Sequence, residues 1–325
     1  MKAVLAKAFA PLDELSLEEV PPRAAGAGQV VVSVKAAGVN FLDGLIVQGK
    51  YQTKPALPFS PGAEVAGIIK EVGAGVTGLE PGMRVLALAG FGGYAEELVT
   101  DAGNIMPLPE AMDFATAACF PVVYATSIHA LKDRGQLRSG ETLLVLGAAG
   151  GVGLTAVEIG KIMGARVIAA ASSDEKLALC KVRGADALIN YASADLRESV
   201  KQLTGGKGVD VVYDPVGGSY AEPAVRSLAF LGRYLVIGFA SGEIPKIPLN
   251  LLLLKQASVV GVFWGAYAKA RPADNARNFA ELFGWYARGL LKPHVSETFP
   301  LARYREALDV VMNRRARGKV ALLVG

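Results

Sequence analysis

Residues 142–162 read TLLVLGAAGGVGLTAVEIGKI, and this stretch decides the fold. Leu143 to Leu146 form a short apolar run, Gly147 to Gly153 a glycine-rich turn, and Leu154, Val157, Ile159 and Ile162 recur at roughly helical spacing. The order predicts strand, tight turn, helix. A helix entered directly from a buried strand aims its free N–H groups and the positive end of its dipole at whatever sits above the turn, and a pyrophosphate fits there. Gly150 and Gly151 let the backbone approach phosphates, and Gly153 lets the helix pack closely on the strand. The usual first glycine of G-x-G-x-x-G falls on Ala148, so the fingerprint is A-x-G-x-x-G. In an ordinary βα turn the glycines would only relieve sterics; the flanking strand and helix favour the dinucleotide reading.

The 325 residues leave room for two domains, and 52% apolar with 20% charged residues describes a soluble globular enzyme rather than a disordered chain. The net charge of +4 is small, and basic residues are scattered apart from Arg314, Arg315, Arg317 and Lys319, so no nucleic-acid stripe is expected. The start, MKAVLAKAFA, has no signal-peptide pattern, and apolar blocks such as Leu251 to Leu254 are far too short to cross a bilayer. A cytoplasmic protein with no membrane partner is expected. Cys119 and Cys180 are too few for a four-thiolate zinc site and lie in apolar helical contexts, which favours buried, inert thiols. His129, in SIHAL, reads as a satisfied buried histidine rather than a base.

Residues 1–118 carry short strand candidates punctuated by glycine and proline: Val30 to Val34, Glu64 to Val72, Arg84 to Leu88 and Tyr94 to Val99. One helix interrupts them near Phe41 to Gln48, with Asn40 as N-cap and Gly49 after its end. From about residue 119 the pattern alternates. Strands at 166–170, 187–190, 209–213, 233–238 and 258–262 join the one at the fingerprint, with helices at 174–183, 196–203 and around 220–230. Repeated βα units imply a doubly wound parallel six-stranded Rossmann sheet over 119–262. The tail, 263–325, holds two amphipathic helices and a strand at 319–324. It is expected to return to the first domain, which makes the cofactor domain an insertion. The strand at 258–262 would lie at a sheet edge of the kind that pairs across a twofold axis, so a homodimer through Rossmann edge strands is expected.

An NAD site usually places an acidic residue about 20 residues past the glycines, where it binds the ribose hydroxyls. Here the second strand ends AAASSDEK. Ser172 and Ser173 leave room for a 2′-phosphate and Lys176 supplies charge, which favours NADPH. Asp174 reads as an N-cap for the helix that follows, with ribose binding as its alternative.

With fingerprint and tail placed, the chain resembles the medium-chain dehydrogenase/reductase superfamily, specifically its zinc-free quinone oxidoreductases related to zeta-crystallin. The resemblance spans the whole chain and rests on GVNFLDGLIVQGKY (38–51), PGAEVAG (61–67), GAAGGVG (147–153), INY (189–191), VYDPVGG (212–218) and GKVALLV (318–324). It implies a GroES-like β-rich catalytic domain around the Rossmann domain, and Ala148 is usual in this branch. The zinc-dependent members carry a histidine before the glutamate of their GHE motif and a catalytic cysteine near residue 40. This chain has Ala63 and Asn40 there, so no metal is expected. By resemblance, cofactor contacts fall on Asn40 to Asp43, Thr126, Gly150 to Val152, Ser172, Lys176 and Tyr191. They continue on Gly238, Phe239, Ala240 and Ser241, on Phe263, Trp264 and Gly265, and on Arg315 and Lys319. The alternatives are a stacked core Tyr191, a packing role for Phe263 and Trp264, and solvated terminal arginines.

The reaction implied is hydride transfer from nicotinamide C4 of NADPH to a quinone or other conjugated carbonyl, a small-molecule substrate. Tyr51 is the first candidate for a proton donor, with Asn40, Asp43 and Tyr124 beside it in role; a cleft-wall tyrosine is the alternative. An enoyl-thioester reductase and a non-catalytic NADPH-binding, crystallin-like protein are the other readings.

Overall fold

The computed structural model describes residues 1–325, which form two compact units: Met1–Val122 with Pro293–Gly325, and Val123–Lys292.

Unit one opens with β1 (Lys2–Leu5), β2 (Ser16–Glu19), β3 (Gln29–Val39), α1 (Phe41–Val47), β4 (Glu64–Val72), β5 (Arg84–Leu88), β6 (Glu97–Asp101), β7 (Ile105–Pro107) and α2 (Phe114–Ala118). The long β3 keeps only Gln29, Ser33 and Lys35 half-buried and becomes fully buried over Ala36–Val39, as a strand covered on both faces at one end requires. Asn40 then caps α1 in a reciprocal capping box with Asp43.

Unit two begins within α3 (Pro121–Ile128), which runs into a π-helical turn, His129–Arg134. It continues with β8 (Thr142–Val145), α4 (Gly151–Ile162), β9 (Arg166–Ala171), α5 (Asp174–Val182), β10 (Ala187–Asn190), α6 (Leu196–Leu203), β11 (Val209–Asp214), α7 (Ala221–Arg226), β12 (Leu228–Val236), α8 (Asn250–Lys255), β13 (Ser258–Gly261), α9 (Trp264–Ala270) and α10 (Pro272–Ala287). The sheet order is β10-β9-β8-β11-β12-β13, and every pairing is parallel. This is the doubly wound order, in which the chain reverses direction beside β8 and leaves a crevice at the strands' carboxyl ends. β8 is central, and its Leu143, Leu144 and Val145 are wholly buried.

The return to unit one supplies β14 (Val295–Pro300), α11 (Tyr304–Met312) and β15 (Lys319–Leu323). β15 pairs antiparallel with β3, Val320 opposite Val39, and parallel with β14, giving the order β14-β15-β3-β4-β5-β7 with β6 also on β3. The sheet core is the Val/Ile-rich inner face of β3, β4 and β15.

Three features differ from the sequence expectation. Residues 263–292 belong to unit two, so the return starts at Pro293 and not at 263. The reason is a polar clasp on α10. Asn278 Nδ2 donates to Asp133 Oδ2 at 2.9 Å, and Lys132 bridges Asn278 Oδ1 and Glu281. At the other boundary, 119–122 stay with unit one. Finally, the helix anticipated around 220–230 stops at Arg226, and β12 starts at Leu228. Phe230 and Leu231 are apolar yet 63% and 58% exposed, so a hydrophobic count mistakes them for a buried helical face. β13 is the edge strand, as expected, and no helix is long and apolar enough to cross a membrane.

Candidate active site

In unit two the turn after β8 has its left-handed residue at Gly147, φ +55°, one position before Ala148. Ala148 therefore tolerates a Cβ where the common fingerprint has glycine, and its N–H ties the turn to β9 by donating to Ala170 O at 3.0 Å. Gly153 has no such freedom: a Cβ there would lie 2.3 Å from Gly147 O and 2.8 Å from Ala148 Cα. Gly150 is the N-cap of α4 and brings no side chain, so the first-turn donors are left without a side-chain acceptor. The carbonyls of that turn are held from behind. Ser127 Oγ and Thr155 Oγ1 each donate to Val152 O at 3.0 Å, and Ser127 Oγ lies 2.9 Å from the Tyr213 hydroxyl. An anion set above α4 would meet aligned backbone N–H groups and the positive dipole end.

At the tip of β9, Lys176 Nζ donates to Ser172 Oγ at 3.4 Å, bringing an ammonium and a hydroxyl together. Ser173 is the N-cap of α5, accepting from Lys176 N–H at 3.3 Å. This corrects the N-cap reading of Asp174, whose carboxylate instead accepts from Asn190 Nδ2 at 2.8 Å. The Tyr191 ring packs on Tyr220, with centroids 4.4 Å apart. Gly238 to Ser241 run along the end of β11, where Ala240 N–H donates to Pro215 O at 3.0 Å and Ser241 N–H to Val216 O at 2.9 Å. Asp214 organises the turn after β11 on which they rest and was missed in the sequence. Its Oδ1 takes the N–H groups of Val216 (2.6 Å) and Gly217 (2.9 Å), its Oδ2 takes the Tyr234 hydroxyl, and burial raises its pKa. The Asp-Pro-x-Gly-Gly run was the available signal, since Asp before such a turn hydrogen-bonds its own backbone. Thr126 is half-buried on α3 and Phe263 is exposed, while Trp264 Nε1 donates to Asn275 Oδ1 at 2.9 Å.

Tyr124 is placed differently from the expected acid. Its hydroxyl donates to Glu158 Oε2 at 2.6 Å in the interior of unit two, and burial, with Glu158 beside it, holds its pKa well above the usual tyrosine range. His129 is a satisfied buried residue: its Nδ1 lies 2.8 Å from Asp133 Oδ2 and its ring stacks on Tyr267.

Unit one gathers Asn40, Asp43, Glu64, Tyr94 and Lys319, all buried. Lys319 Nζ donates to Val39 O (2.9 Å), Asn40 Oδ1 (2.6 Å) and Glu64 Oε1 (3.0 Å), which uses all three of its donors. Burial alone would lower its pKa, but the Glu64 carboxylate keeps it above the usual lysine value. Glu64 Oε1 also accepts from Asn40 Nδ2 at 2.9 Å, and its Oε2 from Val122 N–H at 2.8 Å. An ammonium can only donate and a carboxylate can only accept, so the Asn40 amide has a single allowed orientation. Lys319 is thus an interior residue rather than the surface cofactor contact suggested by the basic segment around it. Its companion Arg315 is exposed and pairs with Asp309.

Asp43 accepts the Asn40 N–H and the Tyr94 hydroxyl on Oδ2, each at 2.9 Å, while Oδ1 is buried with no partner. Burial pushes its pKa up to about 7, opposed by those two donors and Lys319 and assisted by Glu64. Tyr51, half-buried on the same core, has its pKa raised by burial and by the Asp43 charge. In the unfolded chain Asp43 titrates near an ordinary ~3.9. Between that value and about 7 the folded state holds the extra proton, so stability falls as pH rises through this window and is flat above it. Asp43→Asn keeps an acceptor for Tyr94 and removes the titration. Its urea midpoint relative to wild type is expected to rise from pH 5 to pH 8, and parallel pH profiles for the two proteins would contradict this assignment.

Both thiols are inert. Cys119 Sγ donates to Val320 O at 3.4 Å and Cys180 Sγ to Lys176 O at 3.3 Å, and burial pushes each pKa up to about 12.

Residues 26–110 match the family described as "Alcohol dehydrogenase GroES-like domain", and residues 151–281 that described as "Zinc-binding dehydrogenase". Quinone oxidoreductase-like protein 2 of Bos taurus is 42% identical over 309 residues, covering 95% of this chain and 88% of the relative. Quinone oxidoreductase of Rattus norvegicus is 33% identical, covering 100% of this chain and 98% of its own. The crystal structure of Escherichia coli quinone oxidoreductase complexed with NADPH superposes with a TM-score of 0.93 at 30% identity, covering 99% of this chain and 100% of that one. A GroES-like unit into which a doubly wound sheet is inserted, matched over most of their length by these relatives, places the chain in the quinone oxidoreductase family of the medium-chain dehydrogenase/reductases, a family of oxidoreductases.

Proposed function

We propose that the protein is an NADPH-dependent, metal-independent reductase of quinones or other conjugated carbonyls. The observation that carries the cofactor half is the strand tip of β9, where Ser172 and Lys176 stand together and the carboxylate usual in NAD sites is replaced by small hydroxyl residues. The uncapped first turn of α4 fits the pyrophosphate, and Gly153 removes the Cβ that would deform that turn. Tyr191 and Gly238 to Ser241 follow the carboxyl ends of β10 and β12, where such a ligand binds. When bound, NADPH supplies a hydride at nicotinamide C4.

The residues of unit one do not fit a catalytic zinc ion. The two polar side chains at the relevant positions, Asn40 and Glu64, are both committed to the Lys319 ammonium, and Cys119 is a protonated thiol turned to a backbone carbonyl. A dication beside a buried ammonium would be strongly disfavoured. A quinone needs no such Lewis acid, since its developing oxyanion is delocalised. The chain's own part is to hold the acceptor and deliver a proton, and the half-buried Tyr51 phenol, whose pKa burial and the Asp43 charge raise, is the candidate donor.

Steady-state oxidation of NADPH against quinones, enones and enoyl-CoA esters tests the reading. Turnover is expected with quinones or enones, and Tyr51→Phe should lower kcat about ten-fold or more on acceptors whose product carbanion must be protonated. Quinone turnover should change little. Absence of turnover with every acceptor would remove the proposal, and turnover confined to enoyl-CoA esters would replace it with thioester reduction.

A further inference from the structure

Asp174 is an acid that the proposed cofactor reading leaves without a task, set between the two residues that would hold the 2′-phosphate. It is the first residue of α5, preceded by Ser172 and Ser173 and followed two residues later by Lys176. A carboxylate at that position has two evident uses: to accept from a ribose 2′-hydroxyl, or to neutralise Lys176. Either would work against a 2′-phosphate, the first by rewarding its absence and the second by occupying its cation.

Neither is what the side chain does. Asp174 Oδ1 accepts from Asn190 Nδ2 at 2.8 Å, reaching across to the end of the neighbouring strand β10. The amide of Asn190 cannot turn over to release it, because its Oδ1 already accepts the Ala192 N–H at 3.2 Å and only the NH2 side remains for Asp174. The Asn190 main chain is itself held, its carbonyl accepting the Ala194 N–H at 3.0 Å and the Ser193 N–H at 3.2 Å.

We propose that Asn190 is a specificity-determining residue, a clamp that keeps the Asp174 carboxylate away from Ser172 and Lys176 and so leaves that pocket open to a 2′-phosphate. The proposal rests on the reading that this pocket takes NADPH. Without the clamp, Asp174 is free to repel the phosphate, to pair with Lys176 and to accept from a 2′-hydroxyl, all of which move selectivity toward NADH.

The test is calorimetric binding of 2′,5′-ADP and 5′-AMP to the full chain as wild type, Asn190→Ala, Asp174→Asn and the double variant, with no turnover required. Wild type is expected to favour 2′,5′-ADP. Asn190→Ala should reduce that preference about ten-fold, the order expected for one added charge beside the phosphate at a protein surface. Asp174→Asn should keep or increase it, and the double variant should recover it. That recovery separates the clamp from local loosening, which a second substitution would not repair. A loss shared equally by both nucleotides in Asn190→Ala, or a double variant no better than the single, would overturn the clamp while leaving the NADPH reading in place. A wild type with no preference for 2′,5′-ADP would overturn both, and the NADPH reading first.

Discussion

Lys319→Met is expected to be the most damaging single substitution in unit one, with a loss of about 3–5 kcal/mol in unfolding free energy. The methionine would fill much of the space, so the effect is not chiefly one of packing. Its origin is that Glu64, 0% exposed, would keep a charge whose counter-ion is gone, and that Val39 O and Asn40 Oδ1 would lose their donor in a water-free interior. Neutralising the stranded partner should undo a large part of the damage. Lys319→Met with Glu64→Gln is expected to be clearly more stable than Lys319→Met alone, because a buried ion pair contributes little beyond the cost of breaking it. Urea unfolding of the four proteins in this double-mutant cycle measures the coupling. Additive losses would mean that the ammonium and the carboxylate act independently, against the geometry described.

The largest expected effect on ligand binding falls on Gly153→Val. Its Cβ would stand 2.3 Å from one backbone atom of the turn and 2.8 Å from another, and backbone cannot yield as the tip of a long side chain can. Either α4 moves away from β8 or the turn opens. A displacement of about 1 Å in a group that must align costs on the order of 100-fold, and NADPH affinity is expected to fall by at least that factor. The accompanying stability loss should be modest, about 1–3 kcal/mol, as for overpacking elsewhere. Fluorescence titration with NADPH alongside thermal melting separates the two quantities. Near-normal affinity in a folded Gly153→Val protein would mean that the pyrophosphate does not sit on α4.

The two predictions differ in how visible their residues were in the sequence. Gly153 was legible because a nucleotide cradle is local: one strand, one turn and one helix, contiguous in the chain, whose steric needs appear as glycines at fixed spacing. Even the departure at Ala148 has a local cause, since the turn's positive φ falls on Gly147. Asn40 was legible for the same reason, as an N-cap three residues ahead of an acid. Lys319 was not. In the sequence it ends a basic run, and period-two alternation leaves open which of Arg315, Arg317 and Lys319 faces inward. Only the pairing of β15 with β3 brings its ammonium beside Val39 and Asn40, nearly the whole chain away in sequence. Tyr124 was misread for a related reason, because its partner Glu158 lies on a different helix.

By itself the sequence determined the strand and helix alternation of the doubly wound unit, its glycine-rich turn after β8 and the serines and lysine at the tip of β9, because each is written in neighbouring residues through steric and hydrogen-bonding rules of short range. The tertiary structure alone decided which charged groups are interior, that α9 and α10 stay with unit two, that Ser173 rather than Asp174 caps α5, and that Asp174 is held by Asn190. Those choices depend on which strands lie side by side, and burial, which sets the strength of every charge and hydrogen bond involved, exists only once they do.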